Sequence, residues 1–317
     1  MTVITQAAYG GPEVLTVAEA PRPVPLPTEV LVRVEAAGIN PVDWKTREGS
    51  GMAGPVGPPP FVLGWDVAGV VEEIGFGVTT LAVGDRVFGM TWFPRQAGGY
   101  AQYATAPARQ LVRIPPNLSV EEAAAVPLAA LTAWQALVDT AQVRAGQKVV
   151  VTAAAGGVGH FAVQLAHHLG AHVVAVASRR HHEWLAAHGA DEIVDYTRTR
   201  FEEVISDADV VIELVGDGTD DTTLRAVGVL RPGGILVAVP GGVPERVAAA
   251  ADAAGVRASW FLVEPDGAGM AAISELLADG RVRAEVAAVF ALEEAAKAHE
   301  ELQAGHTRGK IVLRVTH

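Results

Sequence analysis

Val149-Val150-Val151-Thr152-Ala153-Ala154-Ala155-Gly156-Gly157-Val158-Gly159 runs from an apolar strand into a helix that continues His160-Phe161-Ala162-Val163-Gln164-Leu165-Ala166. A strand, a glycine-rich turn and a helix in immediate succession form the setting of a dinucleotide site. Glycine lets the backbone approach a pyrophosphate and lets the helix approach the strand, and the helix N-terminus offers free N–H groups. Ala154 stands where the first glycine of G-x-G-x-x-G would be. Short apolar runs at 172–177, 209–214 and 234–239 follow, alternating with helical patterns, and Val256 to Val263 reads as a further strand. Strands alternating with helices predict a parallel sheet of βαβ units. That context favours a dinucleotide turn over a generic strand–helix connection.

The next run ends at Ser178-Arg179-Arg180. NAD sites place an acid about 20 residues past the glycine turn, on the ribose 2′-OH. No acid stands at that strand end; Glu183 follows inside a helical pattern. The Ser178 hydroxyl and the guanidinium forks of Arg179 and Arg180 suit a 2′-phosphate, which points to NADPH. Two arginines also begin many solvated helices. The missing acid is the stronger half of the argument, because a carboxylate there would repel the phosphate.

The first 120 residues have a different texture, with strand patterns at 14–17, 29–35 and 67–74 broken by glycine and proline. Residues 49–60 read as a loop with little structure of its own, a place where lids and binding loops occur. Ser119-Val120-Glu121-Glu122 has the capping pattern of a helix start, and an Ala-rich helix is expected to about Val138. Helices are expected at 270–277 and 293–302, and a last strand at 310–315.

The 317 residues predict two domains, since single cores stop growing at about 250–300 residues. Half of them are hydrophobic, so disorder is excluded. The net charge of −12 argues against nucleic acid and anionic membrane as partners. The longest apolar stretch, 123–138, is broken by Pro127, Thr132 and Gln135 and is too short to cross a bilayer. The first basic residue is Arg22, so no secretory leader is expected. No cysteine occurs, which excludes disulfides, thiolate metal sites and a cysteine nucleophile and fits a cytoplasmic location. No histidine precedes His160, so a His/Cys metal site in the first half is not expected. The adjacent pairs His167-His168 and His181-His182 face different sides of a helix and read as surface.

Five stretches in order carry a family resemblance: Ala37-Gly38-Ile39-Asn40-Pro41-Val42-Asp43-Trp44-Lys45, Leu63-Gly64-Trp65-Asp66-Val67-Ala68-Gly69-Val70-Val71, Gly84-Asp85-Arg86-Val87-Phe88-Gly89, Ala153 to Gly159, and Arg308-Gly309-Lys310-Ile311-Val312-Leu313. With them the chain resembles the medium-chain dehydrogenase/reductase superfamily, in its zinc-independent NADPH:quinone oxidoreductase and enone reductase branch. The resemblance implies an α/β protein with two domains. A GroES-like β-rich catalytic domain would span 1–120 and 265–317, and a Rossmann doubly wound parallel sheet 121–264. It also implies a homodimer. Zinc-dependent relatives carry a Cys and a His at the positions of Asn40 and Trp65, so no metal is expected.

Without a metal, reduction is the favoured direction. The resemblance implies hydride delivery to a small-molecule quinone or to the C=C of an α,β-unsaturated carbonyl. Charge developing on the acceptor oxygen needs a donor or cation. Lys45 is the candidate, matched to an Asn-Pro-Val-Asp-x-Lys stretch of enone reductases, and Asn40 would bond near the nicotinamide or the substrate carbonyl. Asp43 would anchor its loop or a ribose hydroxyl. The expected cofactor residues are Asn40, Asp43, Thr132, Ala155, Gly156, Gly157, Val158, Ser178, Arg179, Arg180, Tyr196, Val215, Gly241, Arg308 and Lys310. Trp44, Phe61, Trp65, Trp92 and Phe261 would line an apolar substrate slot, although aromatics more often pack in a core. The competing readings are an enoyl-thioester reductase and an NADPH-binding sensor or structural protein with vestigial catalysis.

Overall fold

A computed structural model describes every residue of the chain except Asp217 and Thr219. The chain divides into two compact units, Met1–Leu131 with Glu264–His317, and Thr132–Val263. Residues 121–131, read from sequence with the dinucleotide domain, pack in the first unit. The Leu128 N–H donates to Asp66 (2.9 Å) and Arg314 pairs with Glu121 (2.9 Å), which holds this segment to the β-strands.

The first unit is built on the strand Glu29–Ile39, eleven residues long and buried along nearly all of its length. Central position explains its apolar composition, because it pairs antiparallel with Asp66–Ile74, Tyr103–Pro107 and the C-terminal strand Lys310–Arg314. The last pairing sets Ile311 opposite Ile39 and Leu313 opposite Ala37. A separate three-stranded sheet joins Thr16–Glu19, Thr2–Gln6 and Phe61–Val62. The strand expected at 14–17 therefore starts at Thr16, and Pro12–Val14 forms a 3₁₀ turn. Pro12, with its fixed φ, sits at the first position of that turn. Residues 49–60 are less irregular than expected, since Ala53–Val56 makes one helical turn.

Ser119 caps the helix Val120–Ala124 as its sequence predicts, with the Glu122 N–H donating to its hydroxyl (3.2 Å) and the Ser119 N–H donating to the Glu122 carboxylate (2.8 Å). The Ala-rich helix does not run unbroken to Val138. It restarts at Pro127, which lacks an N–H and sterically ends the preceding turn, and the segment Gln135–Thr140 is π-helical.

The second unit is a six-stranded parallel sheet. Its spatial order is Glu192–Val194, His172–Val176, Lys148–Val151, Ala208–Glu213, Leu230–Ala238, Arg257–Ser259. Val150 lies between Val174 and Val211, and all three are buried in one core with Leu236, Phe201, Ala226 and Val247. Chain order reverses between Lys148–Val151 and Ala208–Glu213, which places a crevice at the carboxyl ends of these strands. The last strand stops at Ser259 instead of Val263. The register sets Val237 opposite Ser259 and the neighbour ends one residue later at Ala238, so Phe261 to Val263 have no ladder to join. No helix among the described residues is long and apolar enough to cross a membrane.

Candidate active site

In the second unit the glycine turn sits over its own sheet. The Thr152 N–H donates to the Ile212 carbonyl (3.1 Å) and the Ala154 N–H to that of Val176 (3.2 Å). The turn closes with the Gly156 N–H on the Ala153 carbonyl (2.9 Å). The helix Gly159–His168 then leaves the turn. A Cβ at Gly159 would lie 2.3 Å from the Ala153 oxygen and 2.8 Å from the Ala154 Cα, so helix and strand approach through the missing side chain. The N–H groups of Ala155, Gly157 and Val158 make no hydrogen bond among the described residues. Open donors ahead of a ten-residue helix suit a pyrophosphate.

At the end of His172–Val176, Ser178 is half-buried and Arg179 and Arg180 are exposed. Arg179 has no carboxylate partner among the described residues, while the Arg180 Nε lies 3.0 Å from His181 Nε2. The neighbouring strand Glu192–Val194 pairs Val194 with Val176, which brings Tyr196, 60% exposed, to the same end of the sheet. The same strand leads to Asp195, so this end of the sheet does hold an acid. Its carboxylate is engaged in its own turn by the Thr197 N–H (3.0 Å) and by Arg198 (3.8 Å), which leaves Ser178 and Arg179 as the groups suited to a 2′-phosphate. The Thr197 hydroxyl also donates to the Asp195 carboxylate (2.6 Å) and holds its pKa below the usual range. Val215 and Gly241 are exposed beyond Ala208–Glu213 and Leu230–Ala238. Thr132 is buried in its helix.

The first unit holds a buried polar network built from residues expected at the cofactor. Asn40, Asp43 and Lys310, expected to face a cofactor, are all buried. Lys310 Nζ donates to the Ile39 carbonyl (2.7 Å) and to Asn40 Oδ1. Asn40 Nδ2 donates to Asp66 (2.8 Å), and the Asn40 N–H donates to Asp43 (2.7 Å). The pairing of Lys310–Arg314 with the end of Glu29–Ile39 drives the lysine inward and occupies the Asn40 carboxamide from both sides. Asp43 also accepts from the Gly64 N–H (3.2 Å), so its contacts anchor the helix Pro41–Arg47. Burial pushes Asp43 up to about 7 and Asp66 up to about 6 and lowers Lys310.

Arg47, Tyr100 and His299 extend this network, and sequence reasoning missed all three. Arg47 Nη1 lies 3.1 Å from His299 Nδ1, and Tyr100 Oη 3.1 Å from His299 Nε2. Arginine only donates, so Nδ1 accepts, Nε2 carries the proton, and the imidazole donates to Tyr100. The helix Ala295–Gln303 delivers this histidine to the first unit from the C-terminal part of the chain, with both nitrogens engaged. Burial, then the Arg47 charge, lowers the His299 pKa to about 3. A depressed histidine contributes stability that is complete above about 6.5 and lost as pH falls toward 3. His299→Gln should remove this slope, worth up to about 1.4 kcal/mol per pH unit. Urea midpoints of both proteins between pH 7 and pH 4 check this; parallel curves would refute it.

Three further expected ligands have other partners. Arg308 pairs with Glu285 (2.5 Å) at the surface. Trp65 is buried, its Nε1 donating to the Arg95 carbonyl (2.7 Å) and its ring edge-on to Phe93. Phe61 is buried in the three-stranded sheet. Phe61 is core because its strand position points inward, and Trp65, in the loop just before Asp66–Ile74, because its indole N–H and its ring are engaged by Arg95 and Phe93. Trp44, Trp92 and Phe261 remain partly exposed, Trp92 tethered by its indole N–H to the Thr105 carbonyl (2.7 Å). Lys45 is partly exposed, with Nζ 5.6 Å from the centre of the Trp44 ring.

A family model described as the alcohol dehydrogenase GroES-like domain matches residues 26–116, and one described as zinc-binding dehydrogenase matches residues 188–313. Among curated proteins the chain is 35% identical over 294 residues to the 2-methylene-furan-3-one reductase of Solanum lycopersicum, covering 90% of this chain and 71% of that one. A solved quinone oxidoreductase from Coxiella burnetii superposes with TM-score 0.93 at 36% identity, over 100% of this chain and 99% of that one. The quinone oxidoreductase of Escherichia coli, solved in complex with NADPH, superposes with TM-score 0.88 at 28% identity over 99% and 100%. The zinc in one family description finds no matching donors here. Among the described residues no group of three or more His, Cys, Asp or Glu is placed to hold a metal, and Asn40 and Trp65 are tied to Lys310, Asp66 and Arg95. The sheet order, the glycine turn and these likenesses agree: the chain belongs to the quinone oxidoreductase branch of the medium-chain dehydrogenase/reductase superfamily.

Proposed function

We propose that this chain is a zinc-independent, NADPH-dependent reductase of quinones or of the C=C bond of α,β-unsaturated carbonyls. The observation that carries it is the open turn Ala155–Val158 beside Ser178 and the unpaired Arg179. The relatives' names supply the acceptor classes, a quinone and a ring ketone conjugated to a methylene. Bound NADPH would supply the hydride.

The chain's own residues bind and orient. The N–H groups of Ala155, Gly157 and Val158 hold the pyrophosphate, and Ser178 with Arg179 takes the 2′-phosphate. Tyr196 offers a stacking face to adenine. Lys45 places a cation where negative charge develops on the acceptor oxygen. Lys45 belongs to the first unit and the glycine turn to the second. Asn40 serves through its place in the buried network. A homodimer is supported by the edge strand Arg257–Ser259 with exposed Trp260 and Leu262 after it, and a cytoplasmic site by the absence of cysteine.

Loss of nicotinamide absorbance against quinones, alkenals and an enoyl-CoA tests the reading. NADPH should outperform NADH, and Arg179→Ala should cut that preference about tenfold through the lost charged contact. Lys45→Ala should lower kcat/KM about 100-fold. Equal use of NADH by the wild type defeats the 2′-phosphate assignment, and undiminished turnover in Lys45→Ala removes Lys45 from the reaction.

A further inference from the structure

Glu213 ends the strand Ala208–Glu213 with its side chain fully buried and no ion pair among the described residues. A buried carboxylate is costly unless hydrogen bonds replace its water. Here they do. Oε1 accepts from the Thr152 hydroxyl (3.2 Å) and from the N–H groups of Val215 (2.7 Å) and Gly216 (3.1 Å). Oε2 accepts from the Thr223 hydroxyl (2.9 Å) and again from the Gly216 N–H (3.0 Å). Thr152 Oγ1 in turn accepts from the Leu214 N–H (2.8 Å).

These donors come from three segments: the first residue of the glycine turn, the loop after Ala208–Glu213, and the helix Thr222–Val227. All meet at the two strand ends that flank the reversal of sheet order. An apolar residue would pack this position as well but would leave the loop N–H groups unsatisfied. The carboxylate fixes the loop so that Val215 projects outward, 54% exposed, with Gly216 at φ +93°.

We propose that Glu213 is a positioning residue for the dinucleotide, setting the spacing between the glycine turn and the Leu214–Gly216 backbone. This rests on the NADPH reading. Glu213 acts on the part of the ligand shared by NADPH and NADH, whereas Arg179 acts on the 2′-phosphate alone.

The test compares wild type, Glu213→Gln, Thr223→Val and Arg179→Ala by nicotinamide fluorescence titration, steady-state kinetics and thermal melting. In Glu213→Gln an NH₂ group replaces one acceptor, and the fixed backbone N–H groups cannot turn away. The Kd and KM for NADPH should rise about tenfold, and the KM for NADH by the same factor. At saturating NADPH, kcat should stay within about threefold of wild type. Thr223→Val should shift KM the same way by about threefold, and it decides the matter if Glu213→Gln does not fold. A folded Glu213→Gln with wild-type KM, a fall in kcat at unchanged KM, or a Thr223→Val with unaltered KM overturns the proposal. Wild-type protein that does not bind NADPH overturns the cofactor reading itself, before any variant is compared.

Discussion

Lys310→Met should destabilise the first unit by about 3–5 kcal/mol, the cost of leaving buried carboxylates without their cation. The methionine fills most of the lysine's volume, so packing is nearly conserved and charge is the variable. Asp66 and Asp43 are completely buried, and the nearby ammonium counters the burial that raises both. The pH dependence distinguishes this from a packing defect. Each carboxyl has a folded pKa, about 6 for Asp66 and about 7 for Asp43, above its unfolded value near 3.9. Their contribution is therefore fully present below about pH 4 and is lost as pH rises through about 6 to 7. Without Lys310 both rise further, so the deficit should be larger at pH 8 than at pH 5. Calorimetric melting at both pH values reads this directly. An equal loss at both, or a larger one at pH 5, would contradict it.

Gly159→Ala should both destabilise the second unit and weaken cofactor binding. The new Cβ meets two backbone atoms, the Ala153 oxygen at 2.3 Å and the Ala154 Cα at 2.8 Å, not the end of a mobile side chain. Relief requires the helix Gly159–His168 to move off the strand Lys148–Val151, in a core that tolerates little displacement. Overpacking of this kind costs about 1–3 kcal/mol or more. The same shift moves the open N–H groups away from the pyrophosphate, and the expected loss in NADPH affinity exceeds about tenfold. Gly156→Ala is the control for stability, since its Cβ would lie 3.2 Å from the Ala153 oxygen and the neighbour needs to yield only slightly. Melting temperatures and NADPH titrations of the two variants should rank Gly159→Ala well below Gly156→Ala. Equal stabilities would show that the close approach carries no weight.

The cofactor half was legible because its signals are local. The turn 152–159, the strand-end pair Arg179-Arg180 and the capping box at Ser119 each lie within a few residues, and backbone geometry acts at that range. In the other half the contacts that fix each side chain join distant residues. Lys310 and Asn40 are 270 positions apart, as Arg47 and His299 are by 252, and no spacing rule connects them. Asp195 follows the same logic, since pairing of Val194 with Val176 brings it to the same end of the sheet as Ser178.

The sequence by itself determined the alternation of strand and helix after residue 148, the glycine turn and the absence of cysteine ligands, because these depend on residue type and short-range order. Only the tertiary structure decided that Asn40, Asp43 and Lys310 form a buried network, that Trp65 and Phe61 are core, and that Glu213 ties three segments together. The physical reason is burial. Whether a polar or aromatic side chain meets a ligand or its own protein depends on which strands pack around it, and that is set by pairings across the whole chain.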